Sequence, residues 1–398
     1  MRQQAEKVYM DYNATTPLHP NVKSSIVKAL DVWANPNSAT DLGRAARAII
    51  DKARKQVADS LGCQTRGVIF TSGCTEANNM AIRSAMRHFE KQHRGNDELP
   101  HIITSTMEHP AVLKPLEVFE SRGEIELTRL EVNSRNGIID VDHLYHAIKA
   151  NTCMVSIMHA NNETGVIQPI EEISKVIRDK EAEFHSTIIF HTDAAQSIGK
   201  LQFTMSSLGV DYLTVSGHKC YGPRIGCLCV RDIDETPLYP FIFGSGHEFG
   251  LRPGTENTPM IAGLGEAVEI ATKESKVVAR HCQEMRDYFE ERLKEIVPAP
   301  HLELHYPRSP RLPNTSNVSI LNISCSGKEF LDQCKVVCAS NGSACSSGSG
   351  TASYVILACG LGEKSASRAF RFSVGRDTTK ELVDTVIEEL QEIYAKNC

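Results

Sequence analysis

The chain lacks the sequence features of a membrane, secreted or nucleic-acid-binding protein. Its 398 residues contain no apolar run that approaches the roughly 20 residues needed to cross a bilayer. Residues 1–7 contain no apolar segment typical of a signal peptide. The formal net charge of -6 does not favour electrostatic binding of nucleic acid or anionic membranes. We therefore expect a cytoplasmic protein with a small-molecule substrate.

The chain also lacks the cysteine pattern of a disulfide framework or a zinc knuckle. Its 13 cysteines are odd in number, have no repeated spacing and include no pair separated by two residues. We expect Cys227 and Cys229 on opposite faces of a strand, which disfavours a shared metal ion. This cysteine usage indicates a reducing compartment, and we predict no metal site.

Short runs rich in Ile and Val alternate with amphipathic helical patterns through the middle of the chain. Runs that are apolar at both parities are typical of strands buried on both faces of a sheet. The runs are 68–70, 101–105, 153–158, 187–191, 212–216 and 226–230, and the clearest helical patterns are 75–89 and 170–180. This alternation predicts an α/β domain with a mostly parallel central sheet.

The pattern changes from about residue 259. It predicts a helix to about 296, a strand at 317–323, a helix at 328–338, a Gly/Ser-rich loop at 340–350, a strand at 369–374 and a helix at 380–395. These elements indicate a second, smaller α/β domain. We place an N-terminal segment that packs with the small domain at 1–16, the large domain at 17–260 and the small domain at 261–398.

Lys219 directly follows the predicted strand 212–216. A lysine just past a buried strand lies at the carboxyl edge of the sheet, where desolvation favours its uncharged, nucleophilic form. Considered alone, such a residue is more often a surface lysine. Ser216 and His218 add hydrogen-bonding groups beside it, and this favours a functional role.

Asp193 follows the preceding strand of the sheet. Pyridoxal 5'-phosphate (PLP) requires a carboxylate against its pyridine nitrogen, because the protonated ring is the better electron sink. Asp193 and Lys219 end two successive strands, so both can reach one ring. The alternative is that Asp193 only caps the turn that begins at Ala194.

The segment 71–76, Thr-Ser-Gly-Cys-Thr-Glu, follows another strand and opens a helix. Backbone N–H groups at such a turn bind phosphate with the help of the helix dipole. The hydroxyls of Ser72 and Thr75 would add donors. The same spacing also fits an ordinary capping box.

Four further residues have both a functional and a structural interpretation. His109 can stack on a ring or shuttle protons, or be structural. The amide of Asn161 suits a ring hydroxyl, or an ordinary turn. Arg371 suits a substrate carboxylate, or a surface ion pair. Cys345, in the Gly/Ser-rich loop, is a candidate reactive thiol or an incidental cysteine.

Three segments together resemble the cysteine desulfurase and selenocysteine lyase group of fold-type I PLP enzymes, within the class V aminotransferase family. They are Val-Tyr-Met-Asp-Tyr-Asn-Ala-Thr-Thr-Pro at 8–17, Ser-Gly-His-Lys-Cys-Tyr-Gly-Pro-Arg-Ile-Gly at 216–226 and Arg-Pro-Gly-Thr-Glu-Asn-Thr-Pro at 252–259. The resemblance covers nearly the whole chain. It implies the PLP-dependent transferase fold of type I.

The resemblance assigns the site residues. Lys219 would hold PLP as a Schiff base and act in catalysis with His109, which would stack on the ring. Asp193 would pair with the pyridine nitrogen. The full cofactor-binding set would be Cys74, Thr75, His109, Asn161, Asp193, Gln196, Ser216, His218, Lys219 and Thr255. In it Thr75, Ser216 and His218 would bind the phosphate, and Asn161 and Gln196 would contact the ring oxygen or the substrate side.

The remaining roles concern substrate and partner. Arg371 would hold the substrate carboxylate, with Asn35 also at the substrate, and Cys345 would act on sulfur or selenium. Thr255 would reach the phosphate of the partner subunit's cofactor, which implies a homodimer. A protein that accepts selenium or sulfur is a further implied partner.

The segments point to two substrates. Segments 221–226 and 252–258 are similar to animal selenocysteine lyases, and 33–41 lacks the histidine usual in desulfurases after Asn-Pro. The loop 342–346 instead resembles a desulfurase, with Ser346 where the lyases have histidine. We predict removal of selenium from L-selenocysteine, with a desulfurase that forms a persulfide on Cys345 as the alternative. A PLP aminotransferase and a non-enzymatic chalcogen carrier are further alternatives.

Overall fold

The strands and helices follow from a computed structural model that describes residues 7–93, 95, 97–342 and 352–398. The strands are β1 Val8–Tyr9, β2 Val68–Thr71, β3 His101–Ser105, β4 Glu126–Leu130, β5 Thr152–Ser156, β6 Ile189–Asp193, β7 Tyr212–Ser216, β8 Gly226–Val230, β9 Leu302–Leu304, β10 Thr315–Ile320, β11 Val337–Cys338 and β12 Ala369–Ser373. The α-helices are α1 Pro20–Leu30, α2 Asp41–Leu61, α3 Cys74–Gln92, α4 Pro110–Ser121, α5 Val141–Ala147, α6 Ile170–Phe184, α7 Met205–Leu208, α8 Thr258–Ile296, α9 Gly327–Asp332, α10 Tyr354–Ala358, α11 Gly362–Ser367 and α12 Lys380–Asn397.

Seven strands form the central sheet in the order β2-β8-β7-β6-β5-β3-β4. Only β8 runs antiparallel to its neighbours in this sheet, so the prediction of a mostly parallel α/β sheet is confirmed. Strands β2, β3, β5, β6, β7 and β8 are buried throughout, as their apolar composition predicted. The carboxyl ends of β2, β3, β5, β6 and β7 therefore share one edge.

Helices cover both faces of the sheet and bury two apolar layers. Local sequence fixes their ends, as α2 illustrates. The Thr40 hydroxyl accepts a hydrogen bond from Gly43 N (3.2 Å) at its start. Gly62 ends the helix at φ 70°, a left-handed conformation that costs glycine little.

Helix α8 joins the two domains as one continuous element of 39 residues. Ile261, Leu264 and Val268 near its start lie in the core of the large domain. Phe289 and Leu293 near its end lie in the core of the small domain. The boundary predicted at 260/261 falls in the first turn of this helix, whereas the change of core falls in its middle.

The small domain contains a three-stranded sheet in the order β12-β10-β9, packed against α12 and the end of α8. The N-terminal strand β1 pairs in parallel with β11. Val8 and Met10 lie in the small-domain core. The N-terminal segment therefore packs on the small domain.

The predicted helix 328–338 is wrong in its second half. Helix α9 begins with a capping box between Ser326 and Glu329 and ends at Asp332. The chain then enters β11, where the N–H groups of Val337 and of Val336 just before it donate to the Glu389 carboxylate. The pairing of β11 with β1 and the hydrogen bonds to Glu389 on α12 outweigh the local helical pattern there.

The geometry predicted for Cys227 and Cys229 is also wrong. Side chains two residues apart share a face of a strand, and these Sγ atoms are 3.8 Å apart. In the described part of the chain, no group of three or more His, Cys, Asp or Glu side chains could hold a metal ion. None of the described helices is long and apolar enough to cross a membrane.

Candidate active site

A cavity of about 240 Å³ lies at the shared carboxyl edge of the sheet. Loops after β2, β3, β5, β6 and β7 reach it together with the N-terminal segment and β12. Its lining residues are Asn13, Ala14, Cys74, Thr75, His109, Met158, Ala160, Asn162, Asp193, Ala195, Gln196, His218, Lys219 and Arg371. Carboxyl edges of this kind are where α/β folds bind ligands.

Lys219 enters this cavity from a short 3-10 turn after β7. Gly217 permits the turn because a Cβ there would lie 2.5 Å from the Pro223 carbonyl oxygen. The Lys219 Nζ donates to the carbonyl oxygens of Asn13 (2.5 Å) and Ala14 (2.8 Å). The amine is thus held by the N-terminal segment, which the sequence did not predict.

Asp193 ends β6 and is almost fully buried. Its Oδ2 accepts from Asn78 Nδ2 (2.8 Å), and its Oδ1 accepts from Ala195 N (2.9 Å). The second bond is the turn-capping contact considered for this residue. Because Asp193 also lines the cavity, capping and ligand binding are compatible here.

The start of α3 forms another part of the cavity wall, through Cys74 and Thr75. Gly73 precedes the helix without a side-chain cap. Strand β8 packs closely against the backbone at Gly73, since a Cβ added at Gly226 would lie only 2.8 Å from the Gly73 carbonyl carbon. The complete capping box considered for 71–76 therefore does not form, and the helix N-terminus faces the cavity, where it favours an anion.

Two histidines in the cavity are held in their neutral form. Burial lowers the pKa of His218 to about 4, and the charge on Lys219 acts in the same direction. Burial also lowers the pKa of His109, against the opposing charge of Asp193. His109 Nδ1 accepts from Ala111 N (3.1 Å) at the start of α4, so the proton of the neutral ring is assigned to Nε2. A neutral imidazole suits stacking on an aromatic ring.

Arg371 lies on β12 with only 1% of its surface exposed. Its Nη2 pairs with Asp11 Oδ1 (2.6 Å), and its Nη1 donates to the Asn162 carbonyl oxygen (3.1 Å). Its buried Nε has no acceptor among the described residues. The guanidinium therefore presents an unused donor beside the cavity, where a carboxylate would be stabilised.

Two asparagines in the cavity wall were missed by the sequence reasoning. Asn13 donates to the Asn162 carbonyl oxygen (3.2 Å) and to Thr315 Oγ1 (2.8 Å). Asn162 leaves its buried Oδ1 without a partner among the described residues. The sequence signals were the position of Asn13 in the segment 8–17 and of Asn162 beside Asn161 in the turn 161–165, and neither signal reveals a contact.

Four predicted residues are not part of this cavity. Asn161 closes its own turn, since its Oδ1 accepts from Glu163 N and Thr164 N (2.9 Å each). Ser216 is buried at the end of β7. Asn35 and Thr255 are exposed elsewhere on the chain. The turn interpretation of Asn161 therefore matches its geometry.

The predicted thiol Cys345 lies outside the described residues. Both described flanks of segment 343–351 are tied to the region of the cavity. Ser340 N donates to the Arg371 carbonyl oxygen (3.3 Å), and Ser340 Oγ donates to Asp11 Oδ2 (2.9 Å). On the other side, Ser353 Oγ donates to Glu163 Oε2 (2.5 Å).

These groups fit PLP. An amine for its aldehyde, a carboxylate for its pyridine nitrogen and a helix N-terminus for its phosphate line one cavity. The orphaned Asn162 Oδ1 and Arg371 Nε are buried polar atoms that a bound ligand would satisfy. Met158 and Ala160 supply apolar wall for a flat ring.

The sheet order with its single antiparallel strand, and the lysine and aspartate at its edge, define an enzyme fold of PLP type I. A solved structure of a NifS-like protein matches with a TM-score of 0.87 at 32% identity, over 98% of this chain and 100% of its own. The predicted fold class is thus confirmed.

The chain belongs to the aminotransferase class-V family, whose model matches residues 8–386. A selenocysteine lyase of Bos taurus is 45% identical over 412 residues, which cover 99% of this chain and 94% of that protein. A cysteine desulfurase IscS of Dictyoglomus turgidum is 39% identical over 398 residues, with 98% and 95% covered. The predicted family is therefore confirmed.

Proposed function

We propose that this protein is a PLP-dependent selenocysteine lyase, which converts L-selenocysteine to L-alanine. Selenium leaves as selenide when a reducing thiol supplies two electrons. The observation that carries the proposal is the single cavity that joins the Lys219 amine, the Asp193 carboxylate, the Arg371 guanidinium and the start of α3. Similarity to the bovine selenocysteine lyase across nearly the whole chain supports the substrate.

PLP, when bound, withdraws the electron pair that is left at the substrate Cα. The N-terminus of α3 with Thr75 and His218 would hold its phosphate, and Asp193 would hold the pyridine nitrogen. Arg371 binds the substrate carboxylate and so orients the Cα–H bond toward Lys219. The Lys219 amine takes the proton from Cα. The reducing thiol then bonds to selenium as the Cβ–Se bond breaks, the electron pair of that bond stays on Cβ, and Cβ takes up a proton to become the alanine methyl group.

A cysteine desulfurase is the second candidate. Here the Cys345 thiolate would attack the substrate sulfur, forming a persulfide while the Cβ–S bond breaks. The flanks of its loop, held at Arg371, Asp11 and Glu163, support a thiol that reaches the substrate. The desulfurase of Dictyoglomus turgidum is similar over 98% of this chain.

We further infer a cytoplasmic homodimer that passes selenium or sulfur to an acceptor protein. Buried thiols such as Cys153, Cys220 and Cys282 suit a reducing compartment. Large apolar side chains are exposed on the chain, among them Trp33 (81%) and Phe243 (76%), and such surfaces favour a protein partner. Thr255 is exposed, which suits a contact with a partner's cofactor.

The function is tested by incubating the PLP-loaded protein with L-selenocysteine or L-cysteine and measuring alanine, selenide, sulfide and keto acid. We expect alanine from selenocysteine at the higher rate, and an absorbance near about 420 nm that Lys219→Ala abolishes together with turnover. Keto acid as the main product would identify an aminotransferase, and a parent that gains no such absorbance when mixed with PLP would identify a carrier.

The same assay on Cys345→Ala separates the two substrates. We expect cysteine turnover to collapse, because no persulfide can form. Selenocysteine turnover should fall less if the thiol only assists the departing selenium. Undiminished cysteine turnover in this variant would refute the persulfide role.

A further inference from the structure

A second lysine lies directly behind the predicted cofactor lysine. Lys200 follows Gln196 by four residues, and its Nζ donates to Gln196 Oε1 (2.8 Å). The same Nζ donates to Asn13 Oδ1 (3.2 Å), which also accepts from Asn314 Nδ2 (3.0 Å). Lys200 therefore ties the large domain to the N-terminal segment, and no role assigned so far uses it.

The two residues that Lys200 holds meet at the oxygen atom that binds Lys219. Gln196 Nε2 donates to the Asn13 carbonyl oxygen (2.9 Å), and Lys219 Nζ donates to the same oxygen (2.5 Å). The two lysines thus bind opposite ends of one residue, Lys200 at its side chain and Lys219 at its backbone. A shift of Lys200 would be transmitted to the amine of Lys219.

The two lysines also line one small cavity between the domains, with a volume of about 30 Å³. This volume leaves room for only a few water molecules. The cavity walls include the aromatic rings of Tyr12 and Tyr221 and the buried Cys282. A charge in such a place is poorly screened by solvent, so each ammonium acts strongly on the other.

Electrostatics agree with this arrangement. Burial, with a smaller contribution from the charge on Lys219, lowers the pKa of Lys200 to about 7. Arg371 acts in the same direction, whereas the thiols of Cys282 and Cys220 act in the opposite one. The other charged or titratable groups that line the small cavity are Tyr12, His19, Tyr221, Glu274 and Arg376. Coulomb interactions are mutual, so a proton on Lys200 disfavours one on Lys219.

We propose that Lys200 is a positioning residue of the cofactor site: it holds Gln196 and Asn13, whose carbonyl oxygen binds the Lys219 amine, and its charge disfavours a second positive charge on Lys219. The inference rests on the proposed PLP function. A lysine must lose its proton before it can attack a carbonyl carbon. Lys200 would favour that uncharged form of Lys219.

The test is a pH titration of the absorbance of bound PLP in the parent, Lys200→Met and Lys200→Gln. Both variants remove the charge, and glutamine retains a hydrogen-bond donor. We expect the midpoint to rise in both by up to about one pH unit, because the positive charge that Lys200 carries below its pKa of about 7 is lost. Several-fold weaker PLP binding is expected in Lys200→Met and a smaller loss in Lys200→Gln.

Lys180→Met is the matched control, because Lys180 is a little-exposed lysine that donates to Glu183 (2.8 Å) and lines neither of the two cavities. Its midpoint should equal that of the parent. A midpoint unchanged in both Lys200 variants would overturn the proposal, even with weaker PLP binding. If Lys200→Met fails to fold, the titration midpoint of Lys200→Gln alone tests the proposal. A parent that never binds PLP would instead refute the proposed function.

Discussion

Glu108, next to His109, is a buried acid that the proposed chemistry does not use. Its Oε1 accepts from Ser105 Oγ (2.7 Å) and Met158 N (2.8 Å), while its Oε2 has no partner among the described residues. Burial raises the pKa of Glu108 to about 8, and the charge of Asp193 acts in the same direction. The folded protein therefore carries a neutral carboxylic acid here at pH 7.

This raised pKa predicts a pH dependence of stability. Between pH 4.5 and pH 8 the folded state keeps the Glu108 proton that the unfolded state has lost. The contribution to stability is therefore complete below pH 4.5 and disappears as the pH rises through 8. Glu108→Gln is neutral at every pH and retains an Oε1 acceptor, so its unfolding free energy should fall less than that of the parent from pH 5 to pH 8.

Denaturant unfolding at both pH values measures this difference, which should reach a few kcal/mol at most. Glu126→Gln removes an exposed carboxylate whose pKa is lowered mainly by its hydrogen bond from Lys149, and it serves as the control. Equal pH slopes for Glu108→Gln and the parent would mean that Glu108 is ionised in the folded protein.

The catalytic candidates could be predicted from sequence because each follows a predicted strand within a few residues. Lys219, Asp193 and His109 all belong to such positions. The residues that hold these side chains in place could not be predicted from sequence, because they come from distant parts of the chain. Asn78 contacts Asp193 across 115 residues, and Asn13 contacts Lys219 across 206. No local periodicity encodes such pairs.

At the scale of elements, a buried ion pair fixes the segment before the 252–259 motif. Arg54 on α2 contacts Glu248 through two hydrogen bonds (2.6 and 2.8 Å), and Glu248 Oε2 also accepts from Phe70 N (2.9 Å). The guanidinium lies over the rings of Phe70 and Phe249. Glu248 and Phe249 adopt positive φ values of 48° and 59°, so these contacts compensate for backbone strain.

Glu248→Gln should therefore destabilise the protein by about 3–5 kcal/mol, because it leaves the Arg54 charge buried and uncompensated. Thermal or denaturant unfolding measures the loss. Asp234→Asn, which breaks the exposed pair with Arg66, is the matched control and should cost below about 1 kcal/mol. Similar losses in the two variants would show that burial does not govern the Arg54–Glu248 pair.

The elements that sequence predicted well are those with long, consistent patterns. The buried strands and α8 are of this kind. Strand β11 has two residues and exists only because β1 lies beside it. Strand β4, at the edge of the sheet, alternates weakly in burial and was not predicted. Short and edge strands depend on partners that a single segment does not reveal.

At the scale of the whole molecule, α8 and the N-terminal segment join the domains at the cofactor site. Asn13 contacts the large domain through Asn162 and Lys200 and the small domain through Thr315 and Asn314. The cavity is therefore assembled only when both domains and the N-terminal segment are folded. One further contribution, from Thr255, is proposed to come from another subunit.

A subunit-mixing experiment tests that contribution. Lys219→Ala chains cannot bind PLP covalently, and Thr255→Ala dimers should bind it several-fold more weakly than the parent. In a mixed dimer, the Thr255→Ala chain keeps its Lys219 and receives an intact Thr255 from the Lys219→Ala chain. One of its two sites is then complete, so PLP affinity and turnover at that site should return to parental values. If Thr255 serves its own chain, the mixed dimer recovers nothing beyond the Thr255→Ala level, because no chain carries both residues.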